Sequence, residues 1–531
     1  MRILTKLCNM ILIAIAFSSC SSPNNECIRI NIGGDPATLD PRMARDLQSM
    51  TLVKFFFDGL TRINKEGKPE LSLAEKVDIS LDGLTYTFHL RDALWNTGEK
   101  VTAHHFAYAW STVLGSHFPS DQAFQLYPIK NAKECKEGKV SFEEVGVKVI
   151  DDQTLEVRLI HPTPYFLELT ALPVYFPLLK TVDEKHPHWS VDTQFFMYNG
   201  PFLMKEWKHH DCLSVVANPE YWDAKNVHLK KIDLVMVSEE AELSLYERKE
   251  LDWAGSPLST LPVGSLEMLK KQGKIHVKPM LGTYFFRINT EDPFLQNPLV
   301  RRALALCVKR EEIIEHVTQG YQLPAFSLIP PSLKVSEMTH NEEEDITEAQ
   351  ALFEKALQQE GLSLKALPTL SLMYIAGERN HLISQAVQSQ WKKLLGIDVQ
   401  LHAVERKVFY DRTSKKHFQI AASSWVADYS DPLNFLEIFK FKNGGSNNTG
   451  WENKRYKTLL DQALHAVDLK QRQHIFQECE SILREEMPII PIFHYTLIYL
   501  CNPKIHQVVV SNLGGIDFKW AFMEGSEEKS P

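Results

Sequence analysis

No run in the 531-residue sequence is apolar for long enough to cross a bilayer as a helix, which takes about twenty residues. The run near the start, Met10 to Phe17, is far shorter, and no later run is long enough either. Positive charge is not in excess: 58 Lys and Arg stand against 67 Asp and Glu, for a net charge of −9. The basic residues are dispersed and no platform of aromatics and arginines stands out, which argues against a nucleic-acid partner. Cysteine is sparse, and its eight residues show no C-x-x-C spacing. There is no H-E-x-x-H, no G-x-S-x-G, no P-loop and no G-x-G-x-x-G. These absences point away from an enzyme, although dispersed serines and histidines leave a secreted hydrolase as the competing class. No internal repeat or low-complexity tract breaks the chain. At 44% hydrophobic and 24% charged, it has ordinary globular composition.

The N-terminus carries more information. Arg2 and Lys6 precede the Met10–Phe17 run, which ends at "SSCSSPNN". A basic start, a short apolar core and small residues before a cysteine form an export signal. The layout resembles a bacterial lipoprotein signal, which implies cleavage before Cys20, lipid on that cysteine and residues 20–26 as a tether. The competing reading is plain secretion with cleavage nearby; either way the protein leaves the cytoplasm. Cys8 falls in the signal, leaving six cysteines beyond Cys20, an even number that permits disulfides without demonstrating one.

A chain of this length divides into two or three domains. Its first half reads as short alternating strands, among them Leu84 to Arg91, Gln153 to Ile160 and Lys230 to Ser238. Beyond residue 290 amphipathic helices become frequent. One begins at Asn297-Pro298 and runs on to Val317; another opens with a Thr347/Gln350 capping box and stops at Gly361. A third, from His381, ends at Gly396 and leads directly into a strand, the layering of an α/β protein. Asp431-Pro432 opens a further helix, with Asp431 or Ser430 as its cap and Leu433, Leu436 and Phe439 as its apolar stripe. His104 and His105 read as surface and helix start, and His209-His210 as a solvated turn, because neighbours on a strand face opposite ways and do not share a metal. Asp428, three residues before the Asp431 cap, has no local backbone role.

Several stretches together resemble one family, the periplasmic solute-binding proteins of peptide and nickel ABC transporters, nearest the oligopeptide-binding type. They are "GGDPATLDP" (Gly33 to Pro41), the long stretch from Phe56 to Trp110, "YNGPFLMKEW" (Tyr198 to Trp207), "ANPEYWD" (Ala217 to Asp223), "NPLVRRALALCVKREEII" and "WVADYSDPLNFL". The resemblance spans almost the whole chain after the signal. It implies an α/β periplasmic-binding-protein fold of type II, cluster C, with two main lobes, a hinge and an extra inserted domain. Lobe I would take residues 27–57, 180–281 and 496–531, the insertion 58–179 and lobe II 282–495, with residues 1–19 as signal peptide. Two strands would cross between the lobes near residues 281 and 496.

In peptide-binding members the aspartate of the W-x-A-D-Y motif receives the peptide's amino terminus, a role that falls here on Asp428. Trp425 would shape a side-chain pocket, Ser424 and Val426 would offer backbone groups to the peptide, and Tyr429 and Tyr495 complete that set. The competing reading of Asp428 is a salt bridge within its own lobe. Other family positions depart: an acidic one falls on Arg45, a tryptophan on Arg406, an arginine on Ala422 and a histidine on Asn380, beside His381. Arg45, Arg406 and His381 are therefore candidate partners for a ligand carboxylate. The cysteine of some members is Val426, so their disulfide cannot form. The resemblance implies a monomeric, lipid-anchored periplasmic receptor that hands peptides to an ABC permease, with no catalytic residue, metal or cofactor. A nickel chelate, haem or another small solute is the alternative ligand.

Overall fold

The structure, a computed structural model, describes residues 27–336, 341–364, 367–442, 445–466 and 468–525. Arg2, Lys6, Cys20 and the tether lie outside the described residues. The first strand is β1 (Cys27–Asn31), and helix α1 (Leu47–Phe56) follows it. Strands β2 (Ala74–Ile79), β3 (Thr85–Leu90), β4 (Val147–Asp151) and β5 (Thr154–Arg158) form a separate antiparallel sheet in the order β2-β3-β5-β4. The large sheet then gains β6 (Phe202–Lys208), β7 (Cys212–Ala217), β8 (Lys231–Val235) and β9 (Trp253–Gly255). Next come β10 (His276–Ile288), β11 (Leu370–Ile375), β12 (Val399–Val404), β13 (Ile420–Val426) and β14 (Ile489–Cys501). Its order is β12-β11-β13-β10-β14-β9-β1-β8-β7-β6, with the short Leu323–Pro324 strand also paired to β14.

Apolar burial divides along this sheet. One core gathers Ile28, Phe56, Trp95, Trp110, Leu234 and Phe518, and so runs without a break from β1 through the small sheet to the C-terminal segment. Two others cover opposite faces of the other half: Phe286, Leu304 and Trp391 on one side, and Phe285, Phe439 and Phe476 on the other. Consecutive residues of β10 serve these two because successive strand side chains point to opposite faces. Strands β10 and β14, each 13 residues long, pass from the first core to the others: Met280 and Leu497 pack in the first, Tyr284 and Phe493 in the second. Their pairing shifts register between Pro279 and Thr283. Gly282 occupies that shift, where a Cβ would stand 3.0 Å from the Tyr495 ring and 3.1 Å from Val426.

Most elements foreseen from periodicity are present within a few residues of their expected bounds, and three expectations are corrected. The Thr347 capping box does not start its helix. The helix runs Glu342–Glu360 from an Asn341 cap, and the Thr347 hydroxyl bonds back to the Glu343 carbonyl inside it. The helix from Asn297 is not continuous to Val317: it stops at Leu306, and a short turn (Arg310–Ile313) and a wider one (Ile314–Thr318) follow. The Arg310 guanidinium explains the break, because it bonds the carbonyls of Ala305, Val308, Ala325 and Pro491, drawing the chain inward. His105 is buried, not a surface residue; its Nδ1 accepts from the Thr102 backbone at 3.0 Å. His209 and His210 do lie at a turn, with both rings within 3.3 Å of Asp35. Among the described residues no group of three or more His, Cys, Asp or Glu is placed to hold a metal, and no helix is long and apolar enough to cross a membrane.

Candidate functional site

Asp428 lies two residues beyond the end of β13. That strand pairs with β10 along its whole length, Ile420 against Ile288 to Val426 against Gly282. Its other edge meets β11 only at Ile420 and Ala421. From Ala422 to Val426 that edge has no strand neighbour among the described residues, and Ser424 and Val426 are exposed on it.

The loop beyond the edge is held from two sides. Asp431 accepts from the Leu433 amide at 2.9 Å, so it caps the turn that buries Leu433, Leu436 and Phe439. It also forms a buried ion pair with Arg472, at 2.5 and 2.9 Å. On the other side, Tyr429 stacks on Tyr165 with ring centres 3.9 Å apart, and Ser430 donates its amide and hydroxyl to Glu168 at 3.0 and 2.7 Å. Between these anchors the Asp428 amide donates to Asn434 Oδ1 at 3.4 Å, and the side-chain amides of Gln125 and Asn434 stand near enough to its carboxylate to favour the charged form. Asn434 also accepts from the Trp425 indole at 2.8 Å, so that ring and Asp428 are fixed by the same amide. Burial pushes the Asp428 carboxyl above the usual carboxylate range, against the pull of its two amide partners. No basic side chain pairs with it among the described residues.

Asp428 lines a cavity of about 330 Å³ together with Val426 and Ala427. One face of α1 (Leu47, Met50, Thr51 and Lys54, spaced three to four apart) forms the opposite side. Gln125, Glu168 and Leu172 close it from the segment carrying the small sheet, and Ser511, Leu513 and Gly515 from the C-terminal segment.

The other residues singled out from sequence are distributed as follows. Arg45 lines the cavity, but its guanidinium pairs with Asp121. Tyr495 has the Ser424 side chain beside its hydroxyl and meets Phe493 edge-on. His381, on the helix Glu378–Leu395, bonds the Tyr374 hydroxyl at 2.5 Å. Arg406 begins the helix Arg406–Ser414 and is exposed. Neither His381 nor Arg406 lines the cavity. Gln125, Glu168 and Lys54 line it without having been singled out. Gln125 and Glu168 are remote in sequence and carry no local signal. Lys54 carries a weak one, a charge on the same helical face as Leu47 and Met50.

Comparison with known proteins agrees with this architecture. The model of the bacterial extracellular solute-binding proteins, family 5 (middle), matches residues 68–447. The oligopeptide-binding protein OppA of Bacillus subtilis is 40% identical over 95% of this chain and 94% of its own length. Among solved structures, the unliganded open form of the murein tripeptide-binding protein MppA superposes with a TM-score of 0.81 at 28% identity, covering 94% of this chain and 98% of that one. Haemophilus influenzae OppA in complex with the peptide RPPGFSPFR gives 0.76 at 26% identity, covering 94% and 99%. The fold is accordingly that of the type II periplasmic binding proteins. With a family model spanning most of its length and a 40% identical relative matched end to end, the chain belongs to the bacterial extracellular solute-binding proteins of family 5.

Proposed function

We propose that the protein captures oligopeptides by their amino terminus and delivers them to an ABC transporter permease, with no catalytic step. The observation that carries this reading is the Asp428 carboxylate, partly buried at the wall of a cavity beside two neutral amides and, among the described residues, with no basic partner. An ammonium brought to it is attracted far more strongly than in water, because the surroundings screen less. The free edge of β13 beside it suits an added strand: peptide backbone pairs there whatever its sequence, and Ser424 and Val426 supply the groups. Trp425 and Tyr429 flank the anchor.

Lobe I (27–57, 180–281 and 496–531), with the insertion 58–179, closes against lobe II (282–495) about β10 and β14. Support for a hinge there comes from the passage of both strands between separate cores and from their register shift. A ligand touching both sides shifts the equilibrium toward the closed form, which the permease recognises. The receptor acts as a monomer held to the membrane by lipid on Cys20. Members of the family are solute-binding proteins, and relatives named for oligopeptides favour that ligand over a nickel chelate or haem.

The test is calorimetric titration of the mature protein with one peptide, free and amino-acetylated, beside haem and nickel. Acetylation is expected to weaken binding about 30-fold or more, since losing one partner of a buried charge pair costs about 2–5 kcal/mol. Equal affinity for the two forms overturns the amino-end anchor, and hydrolysis of the peptide overturns the non-enzymatic reading.

A further inference from the structure

Four charged side chains besides Asp428 line the cavity and a fifth, Arg62, packs behind one of them; four of the five are already engaged. Arg45 is paired with Asp121. Asp46 caps α1, accepting from the Ser49 amide at 2.8 Å. Glu168 takes both donors of Ser430. Arg62, just behind the wall, is committed to Asp517 at 2.7 and 3.0 Å and to Asp58 at 3.3 Å. The remaining one is Lys54. Its backbone carbonyl accepts from Arg62, but no hydrogen bond or ion pair of its ammonium is found among the described residues.

The position of that ammonium is defined. A Cβ added to Gly515, which lines the same cavity, would lie 3.9 Å from Lys54 Nζ. The charged end, and not only the aliphatic stem, is therefore at the wall. Burial lowers the affinity of Lys54 for its proton; the field of Asp517 opposes this and that of Arg62 adds to it. Asp517 cannot serve as a full partner, because Arg62 holds both of its oxygens. A partly buried ammonium in this state is stabilised by any anion that reaches it.

We propose that Lys54 is an anion-binding residue of this cavity and that the preferred ligands are peptides with an acidic side chain in one of their first two residues. This rests on the amino-end anchoring at Asp428 proposed above. Both charged groups line one chamber of about 330 Å³, so a peptide held by its amine at Asp428 has its first residues in the same chamber as Lys54. Successive extended residues advance only about 3.3 Å, which places the carboxylate on residue one or two. Selectivity of this kind comes from a polar group that is left unpaired by the wrong ligand.

The experiment titrates the mature protein with four tetrapeptides that carry Glu or Gln at position one or position two and are otherwise neutral. Wild type is expected to favour Glu over Gln by about tenfold or more at one of the two positions. In Lys54→Met that preference should fall to about twofold or less, and its circular dichroism spectrum and melting temperature show that the variant is folded. Absence of any Glu preference in wild type overturns the proposal without reference to the variant, as does a preference that survives in Lys54→Met. Amino-acetylated versions separate the two readings. If acetylation abolishes binding but Glu and Gln bind alike, the Lys54 assignment fails and the Asp428 anchor stands; if acetylation has no effect, the anchor itself fails.

Discussion

Asp428 and Asp431 are three residues apart and both are largely buried, yet they meet opposite surroundings. Asp431 has a guanidinium on both oxygens and a backbone amide besides, with side-chain exposures of 9% for the aspartate and 7% for Arg472. Asp428 has two neutral amides and a cavity. The first arrangement completes itself within the chain and holds the loop; the second leaves a charge deficit that a ligand can fill. The same contrast separates Asp428 from Asp58, in the "FFDGLTR" stretch, whose carboxylate is taken by Tyr221 at 2.6 Å, Trp222 at 3.0 Å and Arg62 at 3.3 Å. Charged residues in a family motif thus do two kinds of work. Most lock the frame, and the proposed anchor stands out by the partner it does not have.

The largest effect expected from this contrast is at Asp431. Asp431→Asn leaves the Arg472 guanidinium buried without a counter-charge, and breaking such a pair costs about 3–5 kcal/mol. Chemical denaturation should show that loss, and a stability within about 1 kcal/mol of wild type would erase the distinction between the two aspartates.

Asp428→Asn sharpens it from the other side. The ligand-free variant should unfold at the same temperature as wild type or higher at pH 8, even as amine binding is lost. The sign follows from the raised carboxyl pKa. Protonated Asp428 is tolerated in the folded protein, so its contribution is fully present below the unfolded-state value near 3.8 and is lost as pH rises through the folded-state value. Melting curves of variant and wild type should therefore converge at low pH and separate above it. A variant less stable than wild type at pH 8 would place Asp428 among the structural carboxylates.

The smallest effect belongs to the exposed pair Arg45–Asp121, whose side chains are 67% and 66% accessible. Arg45→Ala should change unfolding free energy by about 0–1 kcal/mol. A loss on the scale of Asp431→Asn would show that burial is not what separates these pairs.

How much of this was legible in the sequence varies with the range of the interaction. The Asn297 cap, the stop at Gly396 (φ +73°) and the Asp431 cap were all readable, because each involves neighbours a few residues apart. The break after Leu306 was not: it depends on Arg310 reaching carbonyls at Ala325 and Pro491. His105 looked exposed for the same reason, its burial depending on Trp95 and the loop before it.

By itself the sequence determined the α/β class, the family and the suspicion attached to Asp428, since those rest on local periodicity and on a motif spanning a dozen residues. Only the tertiary structure decided that Gln125 and Asn434 hold that carboxylate, that Arg45 is spent on Asp121, and that Lys54 faces the same chamber. Whether a charge is paired depends on atoms brought together from residues 45, 125, 428 and 515, and spacing along a chain carries no record of such encounters.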